Sequence, residues 1–307
     1  MNSNRIVKDL VSVIVPTYKR KTILRAINSI LEQDYKSIEI IVVDDNAEHL
    51  EYRNYVCNIL KPFLDENKIT LIKNETNLGG ALSRNKGIEY SHGEYIAFLD
   101  DDDWYLPQKI SKQVTYIKER DADIVYCYSK GVDLKGNVVW ENKKNKEGNL
   151  LYEAMTECIA NTSLIMCRRR ALFDVGLFSN VPCKQDVLLE LKLAVNGCVF
   201  ACVPEILVVY GDADGNVNRI SNISDKTLVG FYATREIARK NYNRLNSKQI
   251  REVEMGTSYK ICMVALKIHD RKTFRTELNN MIKTSFFDKR IIKIIFKYFR
   301  GRKYLGK

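Results

Sequence analysis

The first 130 residues alternate short apolar runs with segments of helical period, and that alternation leaves few architectures open to the chain. Val11–Val15 is a β-branched run. Ile38–Val43 is almost continuously apolar, as strands covered on both faces are. Ile69–Ile72, Tyr95–Leu99 and Ile124–Tyr128 follow as further strands. Between them, Thr22–Glu32 places apolar residues at 23, 24, 27, 30 and 31, which is a helix period. Tyr52–Leu64, with a break expected near Pro62, then Ala81–Tyr90 and Leu106–Glu119 complete the helical set. Strands separated by helices of this length predict a mostly parallel sheet with right-handed crossovers, and such sheets bind ligands at the carboxyl ends of their strands. Three of those ends carry polar clusters: Thr17-Tyr18-Lys19-Arg20, Asp44-Asp45-Asn46 and Asp100 to Asp103. They are expected to converge on one crevice.

The four consecutive aspartates are the strongest chemical signal. Like charges a few Å apart repel by roughly 1 kcal/mol per pair in water and about 4 at an effective dielectric of 20. A fold gains no stability by gathering them, whereas a bound cation turns the repulsion into attraction. In an extended chain Asp100 and Asp102 point one way and Asp101 and Asp103 the other. An Asp-x-Asp pair of hard oxygen ligands suits Mn²⁺ or Mg²⁺ and leaves room for substrate phosphates. The alternative is a helix N-cap with an acidic first turn ahead of Pro107, though one aspartate would serve for that.

Composition narrows the function classes. The 307 residues suffice for one large or two ordinary domains, and 45% are hydrophobic, enough for a full core. No apolar run approaches the roughly 18 residues that cross a bilayer. The polar stretch Met1–Asp9 and the short run to Pro16 read as a first core strand, not a signal peptide. Eight scattered cysteines without a Cys-x-x-Cys pair fit buried thiols of a reducing cytoplasm, and three distant histidines make a zinc site improbable. The net charge is +11, but residues 285–307 hold eight Lys or Arg against one Asp, leaving +4 for the rest. The basicity belongs to a tail, which argues against a nucleic-acid partner.

The second half is less regular. Lys135-Gly136-Asn137 predicts a hairpin turn, Leu164–Cys167 and Val199–Val209 read as strands, and Asp186–Val195 reads as a helix. After 225 the pattern is helical, through 226–245, 247–268 and 271–284. In the tail, Lys289, Lys293, Lys297 and Arg300 form one stripe, with Phe287, Ile291, Ile294, Ile295 and Tyr298 opposite. Two readings stand for it: a helix lying in an anionic membrane surface, or a terminal helix that closes the core with a solvated charged face.

Val13-Ile14-Val15-Pro16-Thr17-Tyr18, Ile41-Val42-Val43-Asp44-Asp45, Asn77-Leu78-Gly79-Gly80-Ala81-Leu82-Ser83-Arg84-Asn85-Lys86-Gly87-Ile88 and Gly93-Glu94-Tyr95-Ile96-Ala97-Phe98-Leu99-Asp100-Asp101-Asp102-Asp103 together resemble the successive signatures of family 2 glycosyltransferases with the GT-A fold. Order and spacing agree over about residues 10–120. A weaker match runs from Arg168 through Phe178 to Asp186, and nothing family-specific covers 226–307. The resemblance implies an α/β GT-A domain over 1–225, with a nucleotide-binding half at about 10–120, an acceptor half at about 121–225, and a helical region over 226–307. It implies inverting transfer of a sugar from a nucleotide diphosphate donor with Mn²⁺ or Mg²⁺. By the same analogy UDP ranks first, with GDP and dTDP open, and the acceptor is a glycan or lipid-linked glycan of a capsule or lipopolysaccharide. The expected location is the cytoplasm, and peripheral contact with the inner face of the membrane through 285–307 stays open beside closure of the core.

Carried over residue by residue, the resemblance places Pro16, Thr17 and Tyr18 against the base and Arg20 near the base or diphosphate. Asp45 accepts a hydrogen bond from the base, and Asp44 ranks lower, as structural. Asn77 and Arg84 lie near the nucleotide, Asp100 and Asp101 near the ribose, Asp102 on the metal, and Asp186 is the general base. Plainer roles stand beside these: strand caps for Thr17 and Tyr18, a helix cap for Asp44 or Asp45, a surface ion pair for Arg84, a turn for Asn77, an N-terminal helix charge for Asp186. Gln185-Asp186 departs from the family's frequent Glu-Asp, and Tyr210-Gly211-Asp212-Ala213-Asp214 lacks the histidine many members use as a further metal contact, with Asp212 or Asp214 as substitutes. Gly211–Asn222 is the expected lid, with the polar segment 131–148 as the alternative. A sugar-1-phosphate nucleotidylyltransferase is disfavoured, because Pro16-Thr17-Tyr18-Lys19 is no glycine-rich basic loop; a binding module without catalysis is the remaining alternative.

Overall fold

The computed structural model describes residues 6–211 and 225–303, with side chains as far as 299. Val11, Val13, Ile14, Val15, Val42 and Val43 have no exposed surface, so the first strands are apolar on both faces because both faces are covered. They are β1 (Val7–Thr17), β2 (Ile38–Asp44), β3 (Thr70–Lys73) and β4 (Gly93–Phe98), parallel in the order β3-β2-β1-β4. The connecting helices are α1 (Ile23–Leu31), α2 (Leu50–Asp65) and α3 (Gly79–Tyr90). Thr17 pairs across from Asp44, Asp44 from Lys73, and Ile14 from Phe98, so the carboxyl ends line up at one edge. Helix α3 lies so close to β1 that a Cβ on Gly87 would stand 2.4 Å from Ile14 Cγ2. The break expected near Pro62 does not occur. Pro62 sits in the last turn of α2, where its missing donor costs one bond, and Glu66 N still donates to its carbonyl at 3.2 Å.

The chain continues through β5 (Asp103–Tyr105), α4 (Lys109–Glu119), β6 (Ile124–Val132), β7 (Val138–Asn142), α5 (Leu151–Thr156), β8 (Met166–Arg168), α6 (Arg169–Asp174), α7 (Gln185–Val195) and β9 (Phe200–Tyr210). The sheet extends as β4-β8-β6-β9-β5, with β7 on β6. Here only β6 and β9 are parallel; β4–β8, β8–β6, β9–β5 and β6–β7 are antiparallel. Parallel character therefore belongs to the first four strands, and the remainder is mixed. The hairpin expected at Lys135–Asn137 is present: Asp133 N donates to Asn137 O at 3.0 Å and Gly136 takes φ +84°. The strand expected from Leu164 begins at Met166, because Thr162–Leu164 form a 3-10 turn.

Two compact units partition the chain. The sheet unit takes Met1–Leu150, Ile159–Asn180 and Asn196–Val217. The helical unit takes Leu151–Cys158, Val181–Val195 and Asn218–Lys307. Thus α5 and α7 group with α8 (Asp225–Lys240), α9 (Ser247–Lys267), α10 (Arg271–Thr284) and α11 (Lys289–Lys303). Asn246 and Gln249 form a capping box at the start of α9, and Asp270 caps α10 by accepting from Thr273 N at 3.0 Å. Met255, Cys262, Ala265, Phe274, Met281, Ile291 and Ile294 make the core of this unit.

Candidate functional site

The lined-up ends of β1, β2 and β4 bring the three polar clusters together. Thr17 Oγ1 donates to Asp101 Oδ2 at 2.6 Å, Tyr18 N approaches the same oxygen at 3.4 Å, and Asp45 N donates to Thr17 O at 3.0 Å. Pro16 lies within β1, paired with Val43. Tyr18 is 38% exposed, its hydroxyl 3.2 Å from His49 Nε2. Lys19 Nζ lies 5.2 Å over the Tyr18 ring and the His49 ring packs edge-on at 5.6 Å, so the exposed part of an aromatic ring stands at the strand end.

The aspartates do not stay extended. Asp103 N donates to Asp100 O at 3.1 Å, closing a turn. The expected alternation survives in burial all the same: Asp101 and Asp103 are buried, while the side chains of Asp100 and Asp102 keep 38% and 23% of their surface. Arg84 pairs with Asp100, and Arg20 pairs with Asp102 at 3.1 Å and with Asp101 at 3.8 Å. Burial pushes the Asp101 carboxyl up to about 7; the Thr17 hydrogen bond and Arg20 oppose the rise, and Asp102 and Asp100 add to it. Burial pushes Asp103 well above the carboxylate range too, with Asp102 and Asp100 contributing and the Ser163 hydrogen bond opposing.

Asp45 is buried, and its carboxylate organises a loop. Oδ1 accepts from Asn74 Nδ2 and Leu78 N, and Oδ2 from Gly79 N, each at 2.8 Å. It thereby fixes the start of α3, where Asn77 is exposed and accepts from Gly79 N at 3.1 Å. Asp44 is fully buried and bound to Asn46 and Arg53, the structural role expected of it. Arg84 carries the α3 contribution, with its guanidinium 5.7 Å from the Phe178 ring.

Several residues beyond the expected set build this edge. Asn46 accepts from Lys19 N at 2.7 Å and so shapes the loop after β1. Arg25 donates to Asp102 O at 2.7 Å while lying 4.1 Å over the Trp104 ring. Ser163 donates to Asp103 at 2.7 Å and accepts from Asp100 N at 3.2 Å. A Cβ on Gly211 would meet Arg25 Nη2 at 2.5 Å and Asp102 O at 2.6 Å, so only glycine fits there. Arginine, asparagine and serine are too common to stand out in sequence; their places follow from the register of distant strands.

Asp186 opens α7 and belongs to the helical unit. It is half-buried, its Oδ1 accepting from Val187 N at 2.9 Å, with Cys158 Sγ 3.9 Å from Oδ2. Gln185 donates to Val181 O at 3.1 Å. The lid expected at Gly211–Asn222, and Asp212 and Asp214 within it, lie outside the described residues apart from Gly211 itself.

Among the described residues no three His, Cys, Asp or Glu side chains gather into a ready-made metal cage. A divalent cation held through substrate phosphates needs only one or two carboxylates. The outward-facing carboxylates of Asp100 and Asp102, both already drawn to cations, fit that demand.

The model of the family described as "Glycosyl transferase family 2" matches residues 12–181. An uncharacterized glycosyltransferase of Methanocaldococcus jannaschii is 30% identical over 231 residues, covering 73% of this chain and 78% of its own. TuaG of Bacillus subtilis, a glycosyltransferase named for teichuronic acid biosynthesis, is 26% identical over 238 residues, covering 76% of this chain and 91% of its own. Among solved structures, S. aureus TarS (residues 1–349) with UDP-GlcNAc superposes with a TM-score of 0.69 at 19% identity, covering 93% of this chain and 83% of that one. The chain belongs to glycosyl transferase family 2 and carries its GT-A fold.

Proposed function

We propose that this glycosyltransferase is inverting and divalent-cation-dependent, and that it moves a sugar from a nucleoside diphosphate to a glycan or lipid-linked acceptor. Its product belongs to a cell-surface polysaccharide, such as a capsule or lipopolysaccharide, made at the cytoplasmic face of the membrane. The observation that carries the reading is the 100–103 turn, where two buried carboxylates and two outward ones are concentrated at a strand end, with Arg20 and Arg84 paired to them. The donor set supports Mn²⁺ or Mg²⁺ on Asp102, with Asp100 beside it in sequence. When bound, the cation neutralises charge developing on the leaving diphosphate. UDP-GlcNAc, the sugar nucleotide bound by TarS, is the first donor to test.

The chain's own residues divide the remaining work. Pro16, Thr17, Tyr18 and Asp45 receive the base, Asn77 lies near the nucleotide, and Asp100 and Asp101 receive the ribose. Arg20 and Arg84, now on carboxylates, are the cations that meet the donor's phosphates. Asp186 takes the acceptor hydroxyl's proton as that oxygen attacks the anomeric carbon from the face opposite the diphosphate. One displacement with one base inverts the anomeric centre.

Donor binding and turnover in Asp186→Asn test the assignment. Wild-type donor affinity with transfer reduced about a thousandfold supports the base role. Undiminished transfer contradicts it, and a product of retained configuration contradicts inversion.

A further inference from the structure

Helix α11 uses two faces, and the fold needs only one. Ile291 and Ile294 are buried among Met255, Phe274 and Met281, and the Tyr298 ring stacks on Phe274 at 4.9 Å. Arg290 pins the start of the helix, pairing with Asp288 at 2.6 Å and with Glu252 of α9 at 3.0 Å. Its orientation on the unit is thereby fixed. On the other side Ile292, Phe296 and Phe299, spaced four and three residues apart, are 72%, 60% and 60% exposed. Phe286 and Phe287, just ahead of the helix, are 68% and 93% exposed. Lys289, Lys293 and Lys297, four residues apart and all exposed, flank the apolar stripe. One face of the helix closes the core, as the closing-helix reading expects, and the other leaves large apolar side chains exposed.

We propose that this second face seats the enzyme on an anionic lipid bilayer, with Phe286, Phe287, Ile292, Phe296 and Phe299 entering the headgroup–acyl boundary and the three lysines lying against lipid phosphates. Scattered exposed apolar residues need no explanation, but five large ones on one terminal segment form a patch that water disfavours. The occupant is named by charge. Eight Lys or Arg against one Asp over 285–307 match an extended anionic plane, and a basic flank beside an aromatic stripe is how a helix lies in a membrane interface. Among the described residues no helix is long and apolar enough to cross a membrane, so contact through α11 is peripheral. The inference goes beyond the transfer reaction and fails separately from it, since its readout is lipid binding.

Flotation of the full chain with vesicles is the test, comparing phosphatidylcholine–phosphatidylglycerol mixtures with pure phosphatidylcholine. The wild type floats with the anionic vesicles, and salt weakens the binding. Phe287→Ser with Ile292→Ser, at two highly exposed positions, lowers affinity at least tenfold while melting temperature and transfer to a soluble acceptor hold. Replacing Lys289, Lys293 and Lys297 by Gln lowers it on the order of a hundredfold. No flotation, equal flotation of the variants, or equal binding to uncharged vesicles overturns the proposal. So does a concentration-dependent dimer, seen by sedimentation, that the Phe287/Ile292 variant dissolves, because a second copy then covers the face.

Discussion

Two buried charge clusters in this molecule are built on opposite rules. In the helical unit, Arg235 donates to both oxygens of Glu277 at 2.8 Å and to Ser258 Oγ at 2.9 Å. Glu254 lies 3.9 Å away and is itself held by Arg239 at 2.6 Å. Burial pushes Glu277 up, but the Arg235 hydrogen bonds outweigh it and hold the carboxyl below its ordinary range. In the sheet unit, Asp101 and Asp103 are buried; Asp101 shares Arg20 with Asp102, Asp103 is held by the Ser163 hydroxyl, and burial pushes both up. The first cluster is closed and architectural. The second gives up stability: burial favours the neutral form of Asp101 and Asp103 and leaves the negative charge to the more exposed Asp100 and Asp102, the pair that the proposed function assigns to a cation.

Substitutions separate the two rules. The largest effect falls on Asp102→Asn, which should lower sugar transfer about a thousandfold while the melting temperature stays level, because the turn loses a repulsive charge along with the Arg20 pair. Steady-state kinetics beside a thermal melt read both; a collapsed melt would make Asp102 architectural like Glu277. Glu277→Gln should behave in reverse, destabilising the helical unit by about 3 kcal/mol through the stranded Arg235, visible in chemical denaturation. Since the folded Glu277 pKa is depressed, its contribution is present above the unfolded value and is lost as pH falls through the folded one. The Gln variant should therefore differ from wild type at neutral pH and converge with it in acid.

A third buried charge sharpens the contrast. Lys109 is fully buried, with Nζ 4.0 Å from the Tyr105 ring centre and no hydrogen-bond partner among the described residues. Burial lowers its pKa to about 7, and the Cys127 and Cys167 thiols only partly oppose the fall. With the folded value below the unfolded one of about 10.4, the unfolded chain binds the extra proton between them, and stability rises with pH across that window. Lys109→Met should stabilise by a few kcal/mol below about pH 7, and the gain should shrink toward pH 10 in denaturation curves taken along the series. The smallest expected change is Gly211→Ala. Its Cβ collides with Asp102 O and the Arg25 guanidinium, at a cost of about 1–3 kcal/mol and weakened donor affinity, read by calorimetry.

The sequence displays what is local and periodic. The apolar runs of β1, β2 and β4 and the helices α8 to α10 are readable because burial on both faces, or on one stripe, writes itself into neighbouring residues. The three-residue strand β5 carries no such period; Asp103 is a strand residue because Tyr210 pairs with it from across the chain. Grouping α7 with the C-terminal helices is likewise a matter of distant contacts. At the candidate site the aspartates are legible, since four in a row have no cheap structural use. Their partners are not: Arg25 and Ser163 are ordinary residues made specific by strand register, and nothing near Asp45 in sequence reveals the backbone amides of Leu78 and Gly79 that occupy it.

Equilibrium binding of UDP to the full chain with and without Mn²⁺, in wild type and in Asp102→Asn, addresses the excess charge directly. UDP affinity that rises strongly with Mn²⁺ in the wild type and loses that dependence in the folded variant is the predicted result. Affinity indifferent to Mn²⁺, or a metal response unchanged by Asp102→Asn, contradicts the claim that this turn stores negative charge for a cation and its diphosphate.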